Sequence, residues 1–245
     1  EWGAVEGDHV VPLSAAPWAG GVHRANMTPK PLSSLTLLPP TGTRATIACA
    51  ARNYRAHAAE LQNAVPDYPL IFIKPSSALI PEGGAIELPL PESNNVQHEG
   101  ELAIVIGRQV KNISLEKARD VIFGYTIFND VTARDIQRKE GKFTRAKGYD
   151  TFAPIGPWID TEFTPNTQAI SVTVNGELRQ HGLLDEMIFS IPELIVAVSG
   201  FMTLHPGDII ATGTPSGVAS LTAGDVVTVT IEGLGSLTNP VTERP

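Results

Sequence analysis

Apolar positions in this chain gather into short runs separated by turn residues. "LIFIK" (70–74), "LAIVI" (102–106) and Tyr125–Phe128 have strand length and are rich in β-branched and aromatic residues, and "TIACAARNY" (46–54) reads the same way. "AISVTV" (169–174) leads into Asn175-Gly176, a pair suited to a two-residue hairpin turn with positive φ. From Gly207 to Leu237, strand-like pieces alternate with Gly-rich turns. Helical signals are fewer. "SIPELIVAVSGFMTL" (190–204) opens with Ser190 and Glu193 at capping-box spacing and Pro192 in the first turn. "SLEKARDVIFGY" (114–125), with Ser114 as its cap, predicts another helix. The pattern predicts a β-rich α+β fold with few helices, not an alternating βαβ chain.

Composition narrows this picture. The 245 residues fit one large domain with a small appendage, and 20 prolines and 22 glycines suit many short strands joined by turns. Residues 1–41 read as a small N-terminal β unit, closed by the Pro-rich join "LTLLPPTGT", and 42–245 as the main domain. No apolar run reaches the length of a membrane span, and the first residues carry no secretory signal pattern. The single cysteine, Cys49, excludes internal disulfides and a Cys-based zinc cluster, and reads as a core residue. A cytoplasmic location follows from that cysteine usage. A net charge of −8 argues against nucleic acid as a partner. The same charge would repel a small dianion unless a metal ion or a basic cluster reverses the local field.

The chemistry begins at "VQHEGELAIVIG" (96–107). Glu99 and Glu101 share one face of a strand, and like charges that close are unfavourable unless a positive group sits between them. Solvated carboxylates at a strand end are the ordinary explanation, and a divalent cation is the alternative. A third oxygen donor has a candidate in Asp130, at the end of the run Tyr125–Phe128, where a cap or turn role is the ordinary one. Three converging carboxylates with no basic partner predict an all-oxygen site for Mg²⁺, Mn²⁺ or Ca²⁺.

The ordered segments "HEGELAIVIG", "NDVTARDIQ", "KGYDTFAPIGPW", "VNGELRQ", "MIFSIPELI" and "GDIIATGTPSGV" resemble the signatures of the fumarylacetoacetate hydrolase family. The resemblance runs from about "ARNYRAHAAEL" to the C-terminus. It implies a mixed β-roll, or barrel-like sandwich, and a homodimer. It also implies Glu99, Glu101 and Asp130 as metal ligands for Mg²⁺ or Mn²⁺, a site that Ca²⁺ can also occupy. His57 and Glu60 fall on the family's His–Glu dyad, Gln137 and Lys147 on positions near the substrate, and Thr214 on a threonine that holds the substrate carboxylate. Ala51, where glycine is expected, and Ser216, where many relatives carry lysine, depart from the pattern. The substrate implied is a 2-oxo dicarboxylate that reacts through an enolate. The chain is most similar to the isomerase/decarboxylase members of homoprotocatechuate meta-cleavage, an aromatic catabolic route. Acylpyruvate or fumarylpyruvate hydrolase and oxaloacetate decarboxylase activities are the alternatives within the family.

His57 and Glu60, three residues apart, would share a helix face, so the carboxylate can orient the imidazole as a general base. The segment Arg55–Pro66 lacks apolar periodicity and suggests a mobile lid. In "TARDIQRKEGKFTRAKG", Arg134 is four residues from Asp130 and is expected to orient that ligand. Lys147 is expected near the enolate, and Arg138, Lys139 and Lys142 on a solvated face. A structural Ca²⁺ module without catalysis is the remaining reading, and it gives no role to His57, Lys147 or Thr214.

Overall fold

The computed structural model describes residues 1–22 and 27–244. They form two compact units that divide between Leu37 and Leu38. The first is a three-stranded sheet of β1 (Gly3–Glu6), β2 (His9–Pro12) and β3 (Lys30–Pro31), all antiparallel.

The second unit opens with β4 (Ile47–Ala51), helix α1 (Arg55–Glu60), β5 (Leu70–Lys74), β6 (Leu79–Ile80) and β7 (Ile86–Leu88). Next come β8 (Val96–Gln97), β9 (Gly100–Ile106), β10 (Ile122–Asn129), β11 (Thr132–Ala133), α2 (Arg134–Glu140) and α3 (Thr144–Lys147). The chain ends with β12 (Ala153–Asp160), the hairpin β13 (Ala169–Val174) and β14 (Glu177–Leu183), α4 (Ile191–Phe201), β15 (Ile209–Ala211), β16 (Val226–Ile231) and β17 (Gly235–Glu243).

Seven strands form a mixed, curled sheet in the order β5-β4-β15-β9-β10-β12-β6, and five form a second sheet, β14-β13-β16-β17-β7. Leu102, Ile104 and Ile106 of β9 join Ile170, Val172, Val227 and Val229 of the second sheet in one core. Ala103, between them, joins Ile47, Cys49, Phe128 and Ala211 in a smaller core on the opposite face. The central strand is therefore buried on both sides, which explains its unbroken apolar run.

The two sheets approach closely at Gly100. A Cβ there would lie 2.5 Å from Val172 Cγ2 and 2.9 Å from Val229 Cγ1, so only glycine fits without displacement. Asn175 (φ 53°) and Gly176 (φ 82°) make the expected hairpin turn. At the start of α4, Glu193 accepts hydrogen bonds from Ser190 N (2.7 Å) and Ser190 Oγ (2.6 Å). The predicted helix over 114–125 is different: only Leu115–Val121 is helical, as a 3₁₀ stretch, and Ile122 already begins β10. Ile122 pairs with Ile106 of β9, and this tertiary pairing overrides the helical spacing.

Candidate active site

The strand register assembles the acidic site. Phe128 pairs with Glu101 and Asn129 with Gly100, which brings Asp130, just past β10, beside Glu99. Asp130 N donates to Glu99 O at 2.8 Å, and Glu99 N donates to Asn129 Oδ1 at 3.0 Å. Each of Glu99, Glu101 and Asp130 can offer an oxygen within 4.8 Å of the others. They are 4%, 1% and 1% exposed, so the solvated strand-end explanation fails.

The expectation of carboxylates without basic partners also fails. Lys147 Nζ donates to Glu99 Oε2 (2.8 Å) and to Asp130 Oδ2. Arg134 donates through its guanidinium to Glu99 Oε1, not to Asp130, and also to Gln137 Oε1 and, at 2.8 Å, to Gln97 Oε1. The cation behind Asp130 is Lys74, a residue that the sequence reading passed over. Its Nζ donates to Asp130 Oδ1 (2.6 Å) and to Val131 O (3.1 Å), at 1% exposure. These cations reshape the site's electrostatics. Burial raises the Glu99 carboxyl, but Lys147 and Arg134 outweigh it and hold the group well below the usual range. Glu101 shows the reverse: burial, then Asp130 and Glu99, push it well up. Among the described residues Glu101 has no ion-pair partner, and it accepts a hydrogen bond from Gly213 N at 2.8 Å.

Behind the acidic strand lies a buried polar hub. Gln180, at 0% exposure, accepts from Gly100 N (3.1 Å) through Oε1, and His98 Nδ1 lies 2.9 Å from the same oxygen. Its Nε2 donates to Thr214 Oγ1 (2.8 Å) and to Pro215 O (2.7 Å). Thr214 Oγ1 in turn donates to Gly100 O at 2.7 Å. The hub ties the hairpin β13–β14, the Glu-Gly-Glu strand and the "TGTPSG" loop together. Gln180 ends the quoted segment "VNGELRQ", but nothing local marks it as buried.

A cavity of about 290 Å³ opens over the triad and is also lined by His57, Arg134, Gln137, Lys147 and Thr214. All the candidate residues except Glu60 therefore face one space. His57 sits on α1 with Nδ1 3.2 Å from Glu60 Oε2, and Glu60 Oε1 accepts from Gly217 N at 2.9 Å. The carboxylate thus orients the imidazole and fastens the helix to the "TGTPSG" loop. Burial lowers the His57 pKa, against the opposing effect of Glu99. Arg138 and Lys142 also line the cavity, with Arg52. All three of Arg138, Lys139 and Lys142 are exposed, as expected for a solvated face, but Arg138 and Lys142 also border the cavity and Lys139 does not.

The donor set fits a hard dication. It consists of three buried carboxylates, and the one with no cationic partner among the described residues, Glu101, is crowded by the other two. The two lysines and Arg134 balance part of the charge without filling the role of a counter-ion to Glu101.

Comparison with known proteins agrees with this geometry. A profile of the fumarylacetoacetate (FAA) hydrolase C-terminal domain matches residues 46–242. Oxaloacetate tautomerase FAHD1, mitochondrial, of Arabidopsis thaliana is 43% identical over 204 residues, covering 81% of this chain and 91% of that one. The crystal structure of 2-hydroxyhepta-2,4-diene-1,7-dioate isomerase from Mycobacterium marinum superposes with a TM-score of 0.88 at 41% identity, covering 96% of this chain and 88% of that one. Maleylpyruvate hydrolase from Sphingobium sp. SYK-6, in complex with manganese(II) and pyruvate, gives 0.82 at 30% identity, covering 99% and 96%. The carboxylate triad, the His57–Glu60 pair and these matches together identify the chain as an enzyme of the fumarylacetoacetate hydrolase family.

Proposed function

We propose that this chain is a divalent-cation-dependent isomerase of 2-oxo dicarboxylates, which moves a proton between the carbon next to the 2-oxo group and a second position in the substrate. The observation that carries this reading is the His57 imidazole in the same cavity as the three carboxylates, oriented by Glu60. Because the Glu60 carboxylate can only accept, it fixes the hydrogen on Nδ1 and leaves Nε2 as the base. Burial lowers the imidazole's pKa, so the neutral, proton-accepting form persists at neutral pH.

Glu99, Glu101 and Asp130 are the residues that would hold Mg²⁺ or Mn²⁺. When bound, such an ion supplies Lewis-acid stabilisation of the negative charge that develops on the substrate oxygen. His57 Nε2 takes a proton from the enolisable carbon and returns one to the position that completes the shift. Lys74 and Arg134 hold Asp130 and Glu99 in place, and Lys147 places positive charge beside both. Helix α1 acts as the lid that carries His57. The isomerase and tautomerase relatives favour proton transfer over attack by water.

The test is product analysis with Mg²⁺- or Mn²⁺-loaded protein on enol oxaloacetate, a 2-hydroxy-2,4-dienedioate and an acylpyruvate. Isomerised products with the carbon count unchanged support the reading. Carbon–carbon cleavage as the dominant outcome on every substrate refutes it.

A further inference from the structure

We infer that Arg52, Arg138 and Lys142 form an anion subsite at the cavity mouth that reads the second carboxylate of the substrate. Among the described residues five lysines and arginines line the cavity: Arg52, Arg134, Arg138, Lys142 and Lys147. They divide into two groups. Arg134 and Lys147 are committed to Glu99 and Asp130 at the inner end. Arg52, Arg138 and Lys142 have no carboxylate partner among the described residues, although the protein carries a net charge of −8. Uncommitted cations gathered in one cleft of an acidic protein create a local field suited to an anion.

The backbone explains the grouping. Arg134 and Arg138 stand four apart on α2, hence on one face, with about 6 Å of rise between them. Arg134 grips Glu99 at the inner end, and Arg138 lies one turn further along. Gly141 then ends the helix in the left-handed region (φ 63°), and the following Lys142 and Phe143 also line the cavity. Arg52 comes from the segment between β4 and α1. A 2-oxo carboxylate group taken up at the acidic end leaves the substrate's far end at this rim. Carboxylate is the charge that the rim would meet, and guanidinium groups bind it with two donors.

This inference rests on the 2-oxo dicarboxylate reading, so the test uses binding and not turnover. Calorimetry with Mg²⁺-loaded protein compares 2-oxoglutarate with 2-oxopentanoate, which has the same chain length but lacks the second carboxylate. Wild type should bind 2-oxoglutarate at least tenfold more tightly. In the Arg138→Gln/Lys142→Gln double variant the preference should fall below threefold, with 2-oxopentanoate affinity changed less than twofold. Arg52→Gln should reduce the preference in part. Lys139→Gln, a charge change outside the cavity, should leave it intact. The subsite is refuted if wild type shows no preference, if the preference survives the double variant, or if Lys139→Gln removes it equally. Absence of isomerisation by wild type would refute the proposed reaction and leave this binding result standing.

Discussion

Replacing Gln180 with leucine removes the hub behind the site without changing any group that faces the cavity. Two buried donors lose their acceptor: Gly100 N, now 3.1 Å from Gln180 Oε1, and His98 Nδ1, now 2.9 Å away. Each orphaned donor costs about 1–3 kcal/mol, so Gln180→Leu should cost about 2–6 kcal/mol. Pro215 O also loses its donor, while Thr214 Oγ1 keeps Gly100 O. Against a total stability of about 5–15 kcal/mol the loss is large. At about 2–4 °C per kcal/mol for a chain of this size, the melting midpoint should drop by about 4–24 °C. Gln180→Glu keeps both acceptor contacts but sets a carboxylate oxygen against Pro215 O, so it should also destabilise, through the opposite half of the hub. Urea unfolding of metal-free protein gives the free energies directly. A Gln180→Leu variant within about 1 kcal/mol of wild type would show that water replaces the hub, and would refute the reasoning.

Other expectations are equally direct. His57→Ala should lower kcat by about 10²–10⁴ with a much smaller change in KM, and Glu60→Gln should lower it less. Equal activity of both variants with wild type would leave the pair only the role of fastening α1 to the "TGTPSG" loop. With the His57 pKa depressed by burial, kcat/KM should hold as pH falls through the ordinary histidine range and decline only below it, an order that a pH–rate profile checks. Chelation should abolish turnover, and Mg²⁺ or Mn²⁺ should restore it. Glu101→Gln should leave the metal-free protein at least as heat-stable as wild type, because it removes a buried carboxylate that has no ion-pair partner among the described residues and is crowded by Asp130 and Glu99. The homodimer implied by the family resemblance should give twice the chain mass by light scattering at micromolar concentration.

The features legible in the sequence were those with a local signature. The Asn175-Gly176 turn, the Ser190 start of α4 and the strand after Glu101 announce themselves within a few residues. The 114–125 segment misled because its helical spacing ends inside a strand whose pairing is set by Ile106. Lys74 was invisible for a physical reason: a lysine closing an apolar run normally reaches water, and its partner Asp130 is 56 residues away. Arg134 was placed near the right cluster but on the wrong carboxylate, because i,i+4 proximity suggested Asp130 while the fold offered Glu99. Arg138 and Lys142 are exposed, as their sequence suggests; that both also border the cavity depends on where α2 and the turn at Gly141 sit in the fold, which no local pattern shows. Gln180 lies in a polar hairpin segment, where burial depends wholly on the opposing strand and loop.

The glycine between the two glutamates has a consequence for anyone wishing to transplant this site. Copying Glu-x-Glu onto a strand of another protein would reproduce the carboxylates but not their support. Here the second sheet presses Val172 and Val229 against Gly100, and side chains from a hairpin and a loop clasp both backbone groups of that residue. The graftable unit is therefore a glycine-centred strand together with the sheet that leans on it, and a host without a second layer at that spacing would leave the acidic pair free to splay.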